Sequence, residues 1–428
     1  MSNNSKKTLH IVHCVDAEGP LEETLEATFQ RIESQFSINI EPTLNNLNML
    51  QNRDIPLNGV EHEIAEFIST KRLAYLSTWN DVEKMLSGIT TQEFRSKYSS
   101  PDGTPYTYSW FVIDVVGYKN NPRRKSIGFN VVWEQYARIL KNKTFNDSFG
   151  WHFHSVSPAQ EALEYSTTWS AHAFHEQCLA RRLIKHKHFP ALFRAGGVVE
   201  RNDISYWLER TIPFDYSNQN KDDQFSPGDQ SDWRGSPKTW GGYHPCFYDY
   251  RKEGNMRRSV FRCIDVSTPG CSLTDLDVEQ AFIDSIENNI SVFSYTNHDR
   301  RDITLDIENV YAKIRKISQK YPEVNWKFSN ALEAARSYRC LNTSEIRISA
   351  SIDKNTLTIK TNIPTFSGDL FLCFEEEGEL FYRDNPTIED SNMWVYKLNR
   401  KNHIKNIGIA ATSSDGSTDC VVINLDKR

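Results

Sequence analysis

Short apolar runs alternating with longer amphipathic stretches fill the chain as far as about Arg339, and this rhythm restricts the fold more than any other property. Residues 9–16, 108–114, 149–154, 191–194, 213–215, 260–266, 291–295 and 325–328 have the length and apolar content of buried strands. Residues 21–35 (with Pro20 near the first turn), 129–140, 170–187, 275–287, 305–321 and 329–338 repeat apolar positions three and four apart, the spacing of a helix with one buried face. Strands that alternate with helices imply an α/β fold with a parallel sheet, either a barrel or a doubly wound sheet. In both, chemistry collects at the C-terminal ends of the strands.

The rhythm changes after Leu341. Residues 345–351, 356–362, 370–375, 379–383, 393–398, 408–412 and 420–425 are short, rich in β-branched and aromatic residues, and separated by turn pairs such as Ser367-Gly368, Glu377-Gly378 and Asp415-Gly416. That pattern predicts a small antiparallel β-sandwich. The expected organisation is therefore residues 1–340 as a β/α barrel, with a helical insertion at about 51–105, followed by residues 341–428 as a β-sandwich accessory domain. Residues 218–250, rich in Gly, Pro, Trp and Tyr, read as a long ordered loop of the kind that covers or lines a site.

Bulk properties remove several function classes. A formal charge of -6 over 428 residues lacks the basic footprint of a nucleic-acid binder. No apolar run is long enough to cross a bilayer, and the first residues lack the apolar segment and cleavage site of a secretory leader. The eight cysteines (Cys14, Cys178, Cys246, Cys263, Cys271, Cys340, Cys373, Cys420) are scattered with no CxxC pair, which suits free thiols in a reducing compartment. A cytoplasmic location is expected; oligomeric state is left open.

Four strand ends carry polar residues that burial of an apolar face does not explain. In His13-Cys14-Val15-Asp16-Ala17-Glu18-Gly19-Pro20, two-residue periodicity puts Asp16 and Glu18 on one face, where adjacent carboxylates need a cation or protons. The other reading is an acidic helix N-terminus. In Gly150-Trp151-His152-Phe153-His154, the same period aligns two imidazoles as for zinc or a similar ion, although buried histidines also serve as core residues. Arg194, in Phe193-Arg194-Ala195-Gly196-Gly197, suits a carboxylate partner or a surface turn. His298, in Asn297-His298-Asp299-Arg300, suits a general acid or base, or a capping loop. Asp114 and Asp215 also close apolar runs.

The order of these segments resembles the five-motif pattern of NodB-type polysaccharide deacetylases, carbohydrate esterase family four, over roughly residues 9–338. The resemblance implies a distorted (β/α) barrel and removal of N- or O-acetyl groups from a carbohydrate, a glycan or nucleotide-sugar, in surface polysaccharide or lipopolysaccharide synthesis. It also implies a divalent metal, zinc first and cobalt, nickel or manganese otherwise. By motif, Asp16 is the base and Glu18 a metal ligand; His152 and His154 are ligands; Arg194 and Asp215 orient the base; and His298 is the acid. The family's second motif usually spaces its histidines four apart and ends in His-Pro, whereas here Ser157 and Pro158 follow, so His172 and His175 stand as reserve ligands. Trp233, Trp240, Tyr243 and Tyr248 are candidates to stack on sugar rings. Two other readings are a metal-dependent amidohydrolase acting on a non-sugar amide and a carbohydrate-binding protein without catalysis.

Overall fold

The apolar runs pair into a single curled sheet of ten strands. They are β1 (Lys7–Ala17), β2 (Tyr108–Asp114), β3 (Ser148–Phe153), β4 (Leu192–Ala195), β5 (Phe214–Asn218), β6 (Gly242–Tyr243), β7 (Ser259–Arg262), β8 (Ile264–Asp265), β9 (Ile290–His298) and β10 (Val324–Phe328). The computed structural model describes residues 7–121, 123–143, 145–161, 169–223, 232–266, 273–398 and 403–425. The strand order is β6-β7-β5-β4-β3-β2-β1-β9-β8, with β10 beside the first half of β1. Pairing is parallel throughout except between β6 and β7. Every residue of β2 is buried, as expected where helices cover both faces of a parallel sheet.

The run expected at 260–266 is two strands rather than one. Ser259–Arg262 pairs with β5, and after Cys263 the chain changes partner so that Ile264–Asp265 pairs with β9. Both ends of the curled sheet therefore meet on residues 259–265, and the C-terminal strand ends converge.

Between β1 and β2 lie α1 (Leu25–Phe36), α2 (Leu44–Asn52), α3 (Glu61–Phe67), α4 (Thr70–Leu73), α5 (Trp79–Ile89) and α6 (Gln92–Lys97). The helical stretch thus starts before residue 51. The first of these helices begins later than residue 21 because Thr24 caps it, its side chain accepting the Ala27 N–H, which leaves Pro20 outside. A reciprocal Thr78/Asp81 capping box starts α5, whose Val82, Met85, Leu86 and Ile89 join the core under Trp110 and Val112. By contrast, α1–α3 share a small core of their own around Phe29, Ile32, Leu50, Ile64 and Ile68. The remaining helices are α7 (Val131–Ile139), α8 (Phe174–His186), α9 (Asn202–Glu209), α10 (Asp275–Asn288), α11 (Thr304–Ser318) and α12 (Ala331–Tyr338).

The last part of the chain holds β11 (Ile348–Asp353), β12 (Thr356–Thr361), β13 (Phe371–Glu376), β14 (Leu380–Asp384), β15 (Thr387–Asp390), β16 (Met393–Lys397), β17 (Ile404–Thr412) and β18 (Thr418–Asn424). They form two four-stranded antiparallel sheets, β11-β12-β16-β15 and β14-β13-β17-β18. Strand alternation gives β13 two jobs. Leu372 and Phe374 meet Leu357, Ile359 and Trp394 of the other sheet, while Phe371 and Cys373 join Leu183 and Ile184 of α8 in a separate cluster. Burying each such Leu or Phe is worth about 1.5–3 kcal/mol. The strand β15, exposed along its length, lacks the apolar alternation by which sequence periodicity finds strands.

Candidate metal centre

Five strand ends deliver polar side chains to one cavity of about 150 Å³, lined among others by Asp16, Glu18, Lys125, His152, His154, Arg194, Asp265, His298 and Arg300. Parallel register sets the pairings. Asp16 lies opposite His298 on β9, and His152 opposite Arg194 on β4. Two larger clefts, of about 580 and 760 Å³, lie elsewhere, one beside Asn330 and Arg336 and the other beside α10 and α11. Neither is lined by paired imidazoles.

Glu18, His152 and His154 are buried, and one potential ligand atom from each lies within 4.8 Å of the others. Glu18 Oε1 is 3.3 Å from His154 Nε2 and 3.7 Å from His152 Nε2. The imidazole Nδ1 of His152 lies 3.0 Å from the Arg194 carbonyl, which can only accept, so Nδ1 carries a proton and Nε2 is the ring nitrogen turned toward Glu18. That Nε2 is buried and has no hydrogen-bond partner among the described residues. Burial pushes His154 down to about 3, with Glu18 pulling the other way and Lys125 adding to the depression, so this imidazole is neutral at pH 7. A carboxylate and two imidazoles suit zinc or a similar divalent ion. This donor set fits such a metal.

The rest of the site is a set of paired charges. Arg194 donates its Nε–H to both Asp16 oxygens, each at 2.9 Å, and Nη1–H to the Tyr216 carbonyl at 2.7 Å. Burial opposes the charge on Arg194, but Asp16 outweighs it and raises its pKa. The other Glu18 oxygen, Oε2, accepts from Lys125 at 2.7 Å and Arg300 at 2.5 Å. Against the opposing effect of burial, these two cations hold Glu18 well below the usual carboxylate range. His298 stands 3.6 Å from Asp16 Oδ2 through Nε2 and 3.7 Å from Asp265 Oδ2 through Nδ1. Burial and Arg300 lower its pKa to about 4 in spite of the two carboxylates.

The turn after β4 shows why glycine follows Arg194. A Cβ on Gly196 would sit 2.3 Å from His154 Cδ2 and 2.6 Å from its Cα. Behind the turn, the carboxylate of Asp299 holds the backbone after Asp16 by accepting from the Glu18 and Gly19 N–H groups, at 2.7 and 2.9 Å.

Asp16, Glu18, His152, His154, Arg194 and His298 are thus brought together, and Asp215 is not. Its carboxylate binds Arg258 at 2.7 Å and accepts from Ser217, while Arg194 turns to the neighbouring Tyr216 carbonyl. The second carboxylate facing His298 is Asp265. Its sequence signal was available, since it nearly ends the apolar run at 260–266. Lys125 gave no such signal because it lies outside any strand. Asp114 is consumed by Arg182, Trp151 and the Asn130 N–H. His175 packs among Trp169, Trp207 and Phe153, and His172 against Phe174, so neither reserve ligand is in the group. Three of the four aromatic candidates for sugar stacking, Trp233, Trp240 and Tyr243, are buried anchors of the fold; only Tyr248 among them is exposed.

No family model and no curated protein matches the chain. Among solved structures, a protein of Mycobacterium smegmatis described as a polysaccharide deacetylase candidate is 13% identical, with 83% of this chain and 97% of that one covered and a TM-score of 0.33. An endo-β-1,4-mannanase double mutant of Cellulomonas fimi is 8% identical, with 98% and 94% covered and a TM-score of 0.20. At these scores neither likeness carries an argument, and the functional reading rests on the geometry of this chain.

Proposed function

We propose that the protein is a metal-dependent hydrolase that removes an N- or O-acetyl group from a carbohydrate. In this reading the curled sheet is a distorted β/α barrel of the NodB deacetylase type, and the region from about residue 341 is a β-sandwich accessory domain. One juxtaposition carries the reading: Glu18 Oε1 facing two imidazoles, beside an Asp16 held by Arg194 and within 3.6 Å of His298.

Glu18, His152 and His154 would hold the ion, which when bound supplies a Lewis acid for the acyl carbonyl and lowers the pKa of water. Arg194 orients Asp16 through its two 2.9 Å contacts, ready to accept the proton of the attacking water. His298, neutral at rest, takes up that proton from Asp16 and delivers it to the leaving amine or alkoxide. Asp265 faces the far ring nitrogen and stabilises the imidazolium during transfer. Resemblance to the family extends the reading to surface polysaccharide or lipopolysaccharide synthesis. The free thiols Cys14, Cys178, Cys246, Cys263, Cys340, Cys373 and Cys420 suit a cytoplasmic, reducing setting. Among the described residues no helix is long and apolar enough to cross a membrane.

Elemental analysis of the wild type and of a His152→Ala/His154→Ala double variant tests the reading. Near-stoichiometric zinc, cobalt, nickel or manganese is expected in the first and none in the second, with acetate released from acetylated sugars only by the first. A wild type that holds no metal after soaking with zinc overturns it. Activity confined to small non-sugar amides reassigns the substrate.

A further inference from the structure

Glu18 is held by more positive charge than a metal ligand needs. Lys125 and Arg300 both donate to Oε2, from outside the strands and from the turn after β9. A third cation, Arg123, lines the same cavity while pairing with Glu23 at 2.8 Å. Lys125, Arg123 and Arg300 are nearly buried, with side chains 10%, 14% and 13% exposed. The guanidinium Nε of Arg300 is buried and finds no acceptor among the described residues.

Placing a divalent ion here creates an electrostatic problem that the described residues do not solve. The cavity is lined by four cationic side chains, Arg123, Lys125, Arg194 and Arg300, against three carboxylates, Asp16, Glu18 and Asp265, with Glu23 behind them as the partner of Arg123. The only carboxylate in the ligand group, Glu18, is already neutralised by two of those cations. With these charges already matched, a divalent ion would leave its own positive charge uncompensated, which is costly among side chains this deeply buried. An incoming anion removes that cost and satisfies the unmatched guanidinium donor. A neutral acetylated sugar could accept that hydrogen bond but brings no charge to offset the ion.

Building on the metal-hydrolase reading, we infer that the substrate is an acidic acylated sugar whose carboxylate or phosphate is received by the Arg123, Lys125 and Arg300 side of the cavity. The acyl group then lies toward Asp16 and His298, and the acidic group toward the cations. Binding of the metal and of the anionic sugar reinforce each other, because each relieves charge the other leaves uncompensated.

Isothermal titration calorimetry on the zinc-loaded full chain tests this, with N-acetylglucosamine as the neutral probe and its 1-phosphate, its 6-phosphate and N-acetylneuraminate as acidic ones. At least one acidic probe is expected to bind roughly tenfold or more tightly than the neutral sugar. That ratio should shrink with added salt. It should fall toward one in Lys125→Met and, separately, in Arg123→Gln, which guards against a folding defect in either. The phosphate and carboxylate arms identify which anion fits. If zinc is retained and no acidic probe outbinds the neutral one, the inference fails while the hydrolase reading stands. A preference that persists in both variants also overturns it, since the anion then sits elsewhere. Should the wild type retain no zinc, the hydrolase reading falls and the inference falls with it, because the charge left to compensate is the ion's.

Discussion

Replacing Arg194 by Met should be among the most damaging single changes to stability, and pairing it with Asp16→Asn should undo part of the damage. Both residues are 1% exposed, and the guanidinium Nε–H reaches both carboxylate oxygens at 2.9 Å. Met keeps most of the buried volume but leaves Asp16 as an unpaired interior charge, at a cost of about 3–5 kcal/mol. The Tyr216 carbonyl loses its 2.7 Å donor, which adds about 1–3 kcal/mol. Asp16→Asn alone strands the positive charge and is costly for the same reason. In the double variant no unpaired charge remains, so its destabilisation should fall short of the sum of the singles by on the order of 3 kcal/mol. Urea unfolding in the presence of a chelator measures all four proteins without stabilisation from bound metal. Strict additivity would refute the reasoning, since it would mean that the two groups act through packing and not through their charges.

Two further outcomes can be checked by simple measurements. His10 sits between Ser329 and Ser337, with 2.8 Å contacts on both ring nitrogens, and burial, reinforced by Lys327, lowers its pKa to about 3. The unfolded chain therefore takes up a proton near pH 6.5 that the folded chain refuses. The stability from neutral His10 is present above that pH and is lost as pH falls toward 3, amounting to about 2 kcal/mol between pH 6.5 and 5. A His10→Gln variant should show a shallower acid limb in thermal unfolding; an unchanged slope contradicts the assignment. Gly196→Ala should reduce zinc retention without altering any ligand, because the added methyl displaces His154, whose Cα would be 2.6 Å away. Equilibrium dialysis that finds undiminished zinc in this variant removes the close packing as a determinant of the site.

The strands and the period-two pairs were legible in the sequence because they depend on local geometry. A run such as residues 108–114 is apolar without a break since both faces of its strand are covered, and it becomes β2 with the same limits. His152 and His154 share a face by the pleat alone, whatever the rest of the chain does. Arg194 and His298 stood out as polar residues closing apolar runs. Asp215 satisfied the same rule and is nevertheless bound to Arg258 outside the cavity, because its strand turns that side chain away and offers Arg194 the Tyr216 carbonyl instead. The change of partner at Cys263, which joins both ends of the sheet and brings Asp265 to His298, leaves no periodic trace. Nor do the contacts of Lys125 and Arg300 with Glu18, which span 107 and 282 residues. Hydrophobic periodicity reports how a segment meets its immediate surroundings. Which charges share a cavity is decided only when the sheet curls and its strand ends converge, so the two imidazoles and Glu18 could be singled out in the sequence while the cations around them could not.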